Sequence, residues 1–89
     1  MSKIAVIADQ YTADVFQLTD FDVEITNEQK ALEMIIEKSK QDYSIIFISD
    51  NLTKNIEEEL GGIKQTTNAV IVIIPGMGSR QFITNEAVK

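Results

Sequence analysis

The sequence of 89 residues contains no cysteine and no histidine. Without these side chains the chain has no thiolate nucleophile, no imidazole base, no disulfide and none of the common zinc ligand sets. Lysine and arginine together number 8 against 14 acidic residues, which gives a net charge of -6. Because nucleic-acid binding needs clustered basic residues that neutralise phosphates, this balance argues against nucleic acid as a partner.

Long apolar runs are also absent. The longest covers residues 69–74, far short of the roughly 18 residues that a membrane-spanning helix requires. The apolar run near the N-terminus ends at Asp9, before it reaches the roughly 7 residues of the shortest secretory signal core. We therefore expect no direct insertion into a membrane, and a single α/β domain over residues 1–82.

Four short segments have the composition of β-strands. Three are continuous apolar runs rich in β-branched residues, as in strands buried on both faces, and they stop at Asp9, Asp50 and Pro75. The fourth alternates polar and apolar residues, which indicates an edge strand with one wet face. In chain order these predicted strands cover residues 3–8, 22–25, 44–49 and 69–74.

Helical patterns fill the gaps between the strands. Residues 11–18 offer Thr12 as an N-cap, and residues 26–41 open with Thr26 and Gln29 at capping-box spacing. Residues 52–65 repeat apolar side chains near helical spacing, and the glycine pair at 61–62 is expected to weaken or end that helix. The order β-α-β-α-β-α-β predicts a small doubly wound, four-stranded parallel sheet with helices on both faces, a Rossmann-like fold of flavodoxin-like topology.

The carboxyl ends of the strands are where such folds bind ligands, and they carry Asp9, Asp50 and the pair Pro75-Gly76. Two aspartates at this edge are compatible with a receiver-like phosphoacceptor site that holds Mg²⁺. However, a second acidic residue beside Asp9, a fifth strand and a lysine after a strand are all missing. The alternative is that each aspartate caps or begins the helix that follows it.

The stretch PGMGSRQF after the last strand is the remaining candidate site. It contains neither G-x-G-x-x-G nor a Gly-Lys-Ser/Thr signature, so it predicts a turn rather than a phosphate loop. A thioether, a guanidinium and an aromatic ring follow the turn at Met77, Arg80 and Phe82, and these side chains are typical of a protein-docking loop. We expect no metal, no cofactor, no small-molecule substrate and no enzymatic activity.

Three stretches, in this order and over nearly the whole chain, resemble the F subunit of the V-type and A-type rotary ATPases: KIAVIADQYTADVFQLTDFDV, YSIIFISDNLTKNIEEEL and NAVIVIIPGMGS. The resemblance implies a noncatalytic central-stalk (rotor) subunit that binds the elongated coiled-coil D subunit and other stalk subunits. Such a protein contributes to coupling ATP hydrolysis or synthesis to H⁺ or Na⁺ transport. The resemblance also implies a cytoplasmic location, peripheral to the membrane within the ATPase complex.

With that partner, the docking interpretation assigns seven residues to partner binding: Asp9, Tyr11, Pro75, Gly76, Met77, Arg80 and Phe82. Members of the family carry a further C-terminal helix that packs along the stalk. Residues 83–89 have the pattern of only the start of that helix, so this chain is expected to be a truncated or short member of the family. Residues 84–89 are expected to be frayed, because a single helical turn cannot offset the cost of helix nucleation.

Overall fold

A computed structural model of the protein describes residues 3–76. The predictions for Met77, Arg80 and Phe82, and for residues 83–89, lie outside this range. The strands are β1 (Ile4–Ala8), β2 (Asp22–Ile25), β3 (Ile45–Ser49) and β4 (Val70–Ile74), and the helices are α1 (Gln10–Phe16), α2 (Glu28–Ser39) and α3 (Glu57–Thr66). A short 3₁₀ turn, Asp50–Leu52, follows β3. The predicted alternation of strands and helices is confirmed.

All four strands pair in parallel, in the order β2-β1-β3-β4. The second strand therefore lies at an edge, as its alternating pattern predicts, and β4 forms the opposite edge. Helix α1 packs on one face, while α2 and α3 pack on the other. The predicted doubly wound sheet is confirmed. None of the helices within residues 3–76 is long and apolar enough to cross a bilayer.

The core has two unequal layers because successive side chains of a strand point to opposite faces. From β1, Ala5 and Ile7 enter the larger layer beneath α2 and α3, and Val6 and Ala8 enter the smaller layer beneath α1. The smaller layer is completed by three phenylalanine rings whose centroids lie 6.2–6.3 Å apart. These rings belong to Phe16, Phe21 and Phe47.

The start of α1 differs from the prediction. Asp9, not Thr12, is the N-cap: its carboxylate accepts hydrogen bonds from the Thr12 hydroxyl (2.6 Å) and the Thr12 backbone N–H (3.4 Å). The helix ends at Phe16, so Leu18 lies beyond it and is 96% exposed. The capping interpretation of Asp9 is thus confirmed, whereas the predicted cap at Thr12 is wrong.

The capping box predicted for α2 is also wrong. Asn27 is the N-cap and accepts a hydrogen bond from the Lys30 backbone N–H at 3.1 Å. Thr26 continues the β2 pairing, and its N–H donates to the Ala8 carbonyl at 3.0 Å. That N–H is therefore not available for the reciprocal bond to Gln29 that a capping box requires. The neighbour of Thr26, Asn27, is the first residue free to turn.

The helix predicted over residues 52–65 is divided. After the 3₁₀ turn, in which the N–H and the hydroxyl of Thr53 donate to the Asp50 carbonyl, α3 begins only at Glu57. The helix then continues through Gly61 and Gly62 to Thr66, so the glycine pair does not end it. Leu52 still enters the core, but from the 3₁₀ turn and not from a helix.

A buried polar cluster holds α2 to the β2 edge. Lys38, only 8% exposed, forms a salt bridge with Glu24 at 3.0 Å and donates to the Tyr43 hydroxyl at 3.4 Å. The Tyr43 hydroxyl in turn donates to the Asp22 carboxylate at 2.6 Å. Each polar group of the cluster therefore has a partner, which is the condition for burying a lysine at acceptable cost.

We expect Tyr43→Phe to lower the free energy of unfolding by about 1–2 kcal/mol, because it removes a hydrogen bond to a charged carboxylate while leaving the ring in place. Tyr11→Phe is the matched control, since Tyr11 is 70% exposed, and it should change stability by less than about 0.5 kcal/mol. Urea unfolding of the three proteins measures both effects, and equal stability of the two variants would contradict the assignment.

The same cluster predicts a loss of stability in alkali. Burial and the hydrogen bond to Asp22 raise the pKa of Tyr43 above its ordinary value. Burial acts to lower the pKa of Lys38, but its hydrogen bonds to Glu24 and Tyr43 outweigh burial and raise it. Above about pH 10 the folded state binds more protons than the unfolded state, so the free energy of unfolding falls as the pH rises through the raised pKa values.

Urea unfolding between about pH 8 and about pH 12 should show a smaller alkaline loss in Tyr43→Phe than in the parent. Tyr11→Phe should keep the parental slope, and a slope unchanged in both variants would remove the cluster as its cause.

Candidate docking site

The carboxyl edge of the sheet gathers polar and turn residues from three neighbouring strands. Asp9 follows β1, Asp50 follows β3, and Pro75 and Gly76 follow β4. Because β1, β3 and β4 are adjacent and parallel, these residues share one edge. The sequence prediction that they lie together is confirmed by the topology.

Asp9 is held on the α1 side of this edge. Besides its bonds to Thr12, its carboxylate interacts with the Asn51 side chain, which acts to lower the pKa of Asp9. Burial acts to raise the pKa of Asp9, but the hydrogen bonds from Thr12, from its own backbone N–H and from Asn51 outweigh burial and lower the pKa. Asp9 is therefore ionised near neutral pH and ties β1 to the turn after β3.

Asp50 joins β3 to the end of β4. Its carboxylate oxygen Oδ1 accepts a hydrogen bond from the Gly76 backbone N–H at 3.0 Å. Along β4 alternate residues point their N–H groups toward β3, beginning with Val70, whose N–H donates to the Ser44 carbonyl at 2.8 Å. Gly76 lies on this same alternation, so the Asp50 side chain continues the β4 hydrogen-bond ladder past the end of β3.

Gly76 has no room for a side chain. A Cβ atom placed on it would lie 2.5 Å from the Asn51 oxygen Oδ1, closer than a real Cβ atom approaches another residue. Asn51 therefore lies between Asp9 on one side and Gly76 on the other. The sequence analysis did not predict that Asn51 packs at this edge. The one feature of the sequence that indicates it is the position of this amide directly after Asp50, the aspartate that follows β3.

Two buried polar atoms at this edge, Ser49 Oγ and Asn51 Oδ1, have no hydrogen-bond partner within the part of the chain that the structure describes. Ser49 is fully buried. The interior of the edge is therefore polar as well as closely packed.

The predicted docking residues fall into two groups at this edge. Tyr11 and Pro75 are exposed to solvent, and Tyr11 is 70% exposed. Asp9 is half-buried and Gly76 is buried, and both take part in the contacts that join the strand ends. Met77, Arg80 and Phe82 follow directly in sequence. The structure thus separates residues that hold the edge from residues that a partner can reach.

The carboxylates of the edge are engaged in structural contacts. Asp9 caps α1, and Asp50 begins the 3₁₀ turn while binding Gly76. Within residues 3–76 no three acidic side chains come together as a metal site would require. Beside the edge, an open groove of about 550 Å³ runs between α3 and β4, with Leu60, Gly61 and Ile73 on its apolar side.

Comparison with known proteins relates this fold to a family. The family model of the ATP synthase (F/14-kDa) subunit matches residues 4–88. The chain belongs to this family. The F subunit of the V-type ATP synthase of Fusobacterium nucleatum is 34% identical over 76 residues, an alignment that covers 84% of this chain and 72% of that protein. The resemblance inferred from the three stretches of sequence is therefore confirmed.

For this domain of the F/14-kDa family we expect Gly76→Ala to lower the free energy of unfolding by about 1–2 kcal/mol, because the new methyl group forces Asn51 away from Asp9. Gly61→Ala is the matched control. A Cβ there meets no atom within 4 Å on an exposed face of α3, so alanine should stabilise by about 0.5–1 kcal/mol. Thermal unfolding of both variants measures the contrast, and a shift of the same sign in both would contradict the close packing at Gly76.

Proposed function

We propose that this protein is a noncatalytic subunit of the central stalk of a V-type ATP synthase or ATPase, where it binds the coiled-coil D subunit, called the coiled-coil partner below. In this role it is peripheral to the membrane, in the cytoplasm, and turns with the stalk. It contributes to coupling ATP hydrolysis or synthesis to the transport of H⁺ or Na⁺. The family match over residues 4–88 is the observation that carries the proposal.

The chemistry of the carboxyl edge supports a binding role. The chain has no cysteine or histidine, and the edge carboxylates of Asp9 and Asp50 are engaged in capping and strand-end contacts. What the edge offers to solvent is an aromatic ring at Tyr11 and a proline at Pro75. Such groups bury apolar area at low conformational cost when a protein partner covers them.

Charge supports a basic partner surface. The net charge is -6, and Glu57, Glu58 and Glu59 are exposed in the first turn of α3. At that position they complement the positive end of the helix dipole, so the exposed run has a structural role as well. Long-range attraction by such a surface mainly accelerates association and is weakened by salt.

The test is co-purification with the coiled-coil partner from the same organism. We expect the triple substitution of Met77, Arg80 and Phe82 by alanine to weaken binding about tenfold or more, because these are the anchor-type side chains of the predicted loop. Tyr11→Ala should weaken binding in the same direction. Leu18→Ala is the matched control. Leu18 is an exposed apolar residue in the loop between α1 and β2, which lies at the amino ends of the strands and so away from the carboxyl edge.

Two outcomes decide against this proposal. If the coiled-coil partner does not bind the parent chain, even with a C-terminal helix appended, the stalk role fails. Labelling by acetyl phosphate in the presence of Mg²⁺, lost in Asp50→Asn, would favour a receiver-like phosphoacceptor instead. A stalk protein should bind the coiled-coil partner equally well as the parent or as Asp50→Asn, because the amide keeps an acceptor oxygen for the Gly76 N–H.

A further inference from the structure

The outer side of β4 is an open strand edge. Val70, Val72 and Ile74 direct their N–H groups toward β3, as the bond from Val70 to the Ser44 carbonyl and the register show. The N–H and C=O groups of Ile71 and Ile73 therefore point away from the sheet. Among the described residues no strand pairs with this side of β4.

Pro75 marks the end of the open edge. It occupies the next outward position after Ile71 and Ile73, where its lack of an N–H breaks no bond to β3. The open edge is therefore short and defined: two N–H groups and two C=O groups, all within β4.

The two edges of the sheet differ in their protection. The β2 edge carries two carboxylates, Asp22 and Glu24, which Tyr43 and Lys38 hold in place. Strand β4 has five apolar residues, no charge and no bulge in its pairing with β3, and Val70 is 60% exposed. Proteins usually blunt an edge with charge, proline or a bulge. Pro75 ends this edge, but no such feature lies within β4, so Ile71 and Ile73 are suited to pairing with another strand.

We propose that a short extended segment of the coiled-coil partner adds to the sheet along the outer edge of β4. This inference rests on the function proposed above and names the surface used. A helix cannot fill the role, because its own backbone groups are already bonded internally. An extended segment supplies N–H and C=O groups at the spacing that Ile71 and Ile73 present.

Position and charge favour the coiled-coil partner over a second copy of this chain. The edge runs directly into Pro75 and Gly76, so a partner at the docking site already lies beside it. The groove next to Ile73 is bordered by Lys54 and Lys64 and equally by Asp50 and Glu57, so its charges balance and do not oppose a segment of either sign. Two copies, each with a net charge of -6, would instead repel one another.

Amide hydrogen exchange provides the first test. In the free protein the amides of Ile71 and Ile73 should exchange much faster than those of Val72 and Ile74, which are bonded to β3. Binding of the coiled-coil partner should slow Ile71 and Ile73 by about tenfold or more and leave Val72 nearly unchanged. This alternation distinguishes strand pairing from simple coverage, which would slow neighbouring amides alike.

A backbone variant provides the second test. Ile73→Pro removes an outward N–H without removing a bond to β3, and Ile73→Val keeps that N–H with a similar side chain. We expect Ile73→Pro to weaken binding of the coiled-coil partner about tenfold or more and Ile73→Val to change it less than about twofold. Continued protection of the Val72 amide shows that Ile73→Pro retains the sheet.

The outcomes separate strand pairing from the proposed function. Tight binding of the coiled-coil partner by Ile73→Pro, or no slowing at Ile71 and Ile73, would overturn strand pairing while leaving the stalk role intact. Failure of the partner to bind the parent chain would overturn both. Protection of Ile71 and Ile73 in dilute free protein, or protection that rises with its concentration alone, would assign the edge to this chain itself or to a second copy.

Discussion

Parallel pairing of β1 with both β2 and β3 is the constraint on which the rest of the structure depends. It places β1 at the centre of the sheet, where its last four residues are fully buried. Parallel neighbours cannot be joined by a tight turn, so each connection must cross the sheet as a helix. The two core layers follow from this arrangement, since every crossover helix covers one face.

The same pairing creates the carboxyl edge that holds the candidate docking residues. Because the strands run in one direction, Asp9, Asp50 and Gly76 arrive together although they are far apart in sequence. Asp50 then bonds the end of β4 through the Gly76 N–H, and the Asn51 side chain packs between Asp9 and Gly76. These contacts hold the ends of β3 and β4 together at one side of the sheet.

The two outer strands of the sheet have opposite properties. Strand β2 carries two carboxylates, which are bonded to Lys38 and Tyr43. The β4 edge is apolar and open, and it leads directly into the predicted docking loop. The two outer strands thus differ in charge, with carboxylates on β2 and only apolar side chains on β4.

Continuous apolar runs and helical spacing are local properties of the chain, so the type and order of the strands and α-helices within residues 3–76 could be predicted from sequence. The sequence by itself also determined the absence of cysteine and histidine chemistry, and three ordered stretches were enough to indicate the family. The exact first and last residues of the helices were harder to predict from sequence. Thr26 has the chemistry of a cap, but it continues the strand pairing with Ala8, and the helix is capped one residue later by Asn27.

The packing and hydrogen-bond partners of residues distant in sequence could be identified only from the three-dimensional fold. The helical spacing over residues 52–65 could not show that Leu52 enters the core from a 3₁₀ turn, because that depends on the Asp50 turn and its bond to Gly76. A buried Lys38 in α2 is likewise unexpected until Glu24 and Tyr43 are placed beside it. Local pattern fixes which elements form, whereas contacts between strands and helices fix where each element stops and which polar groups can be buried.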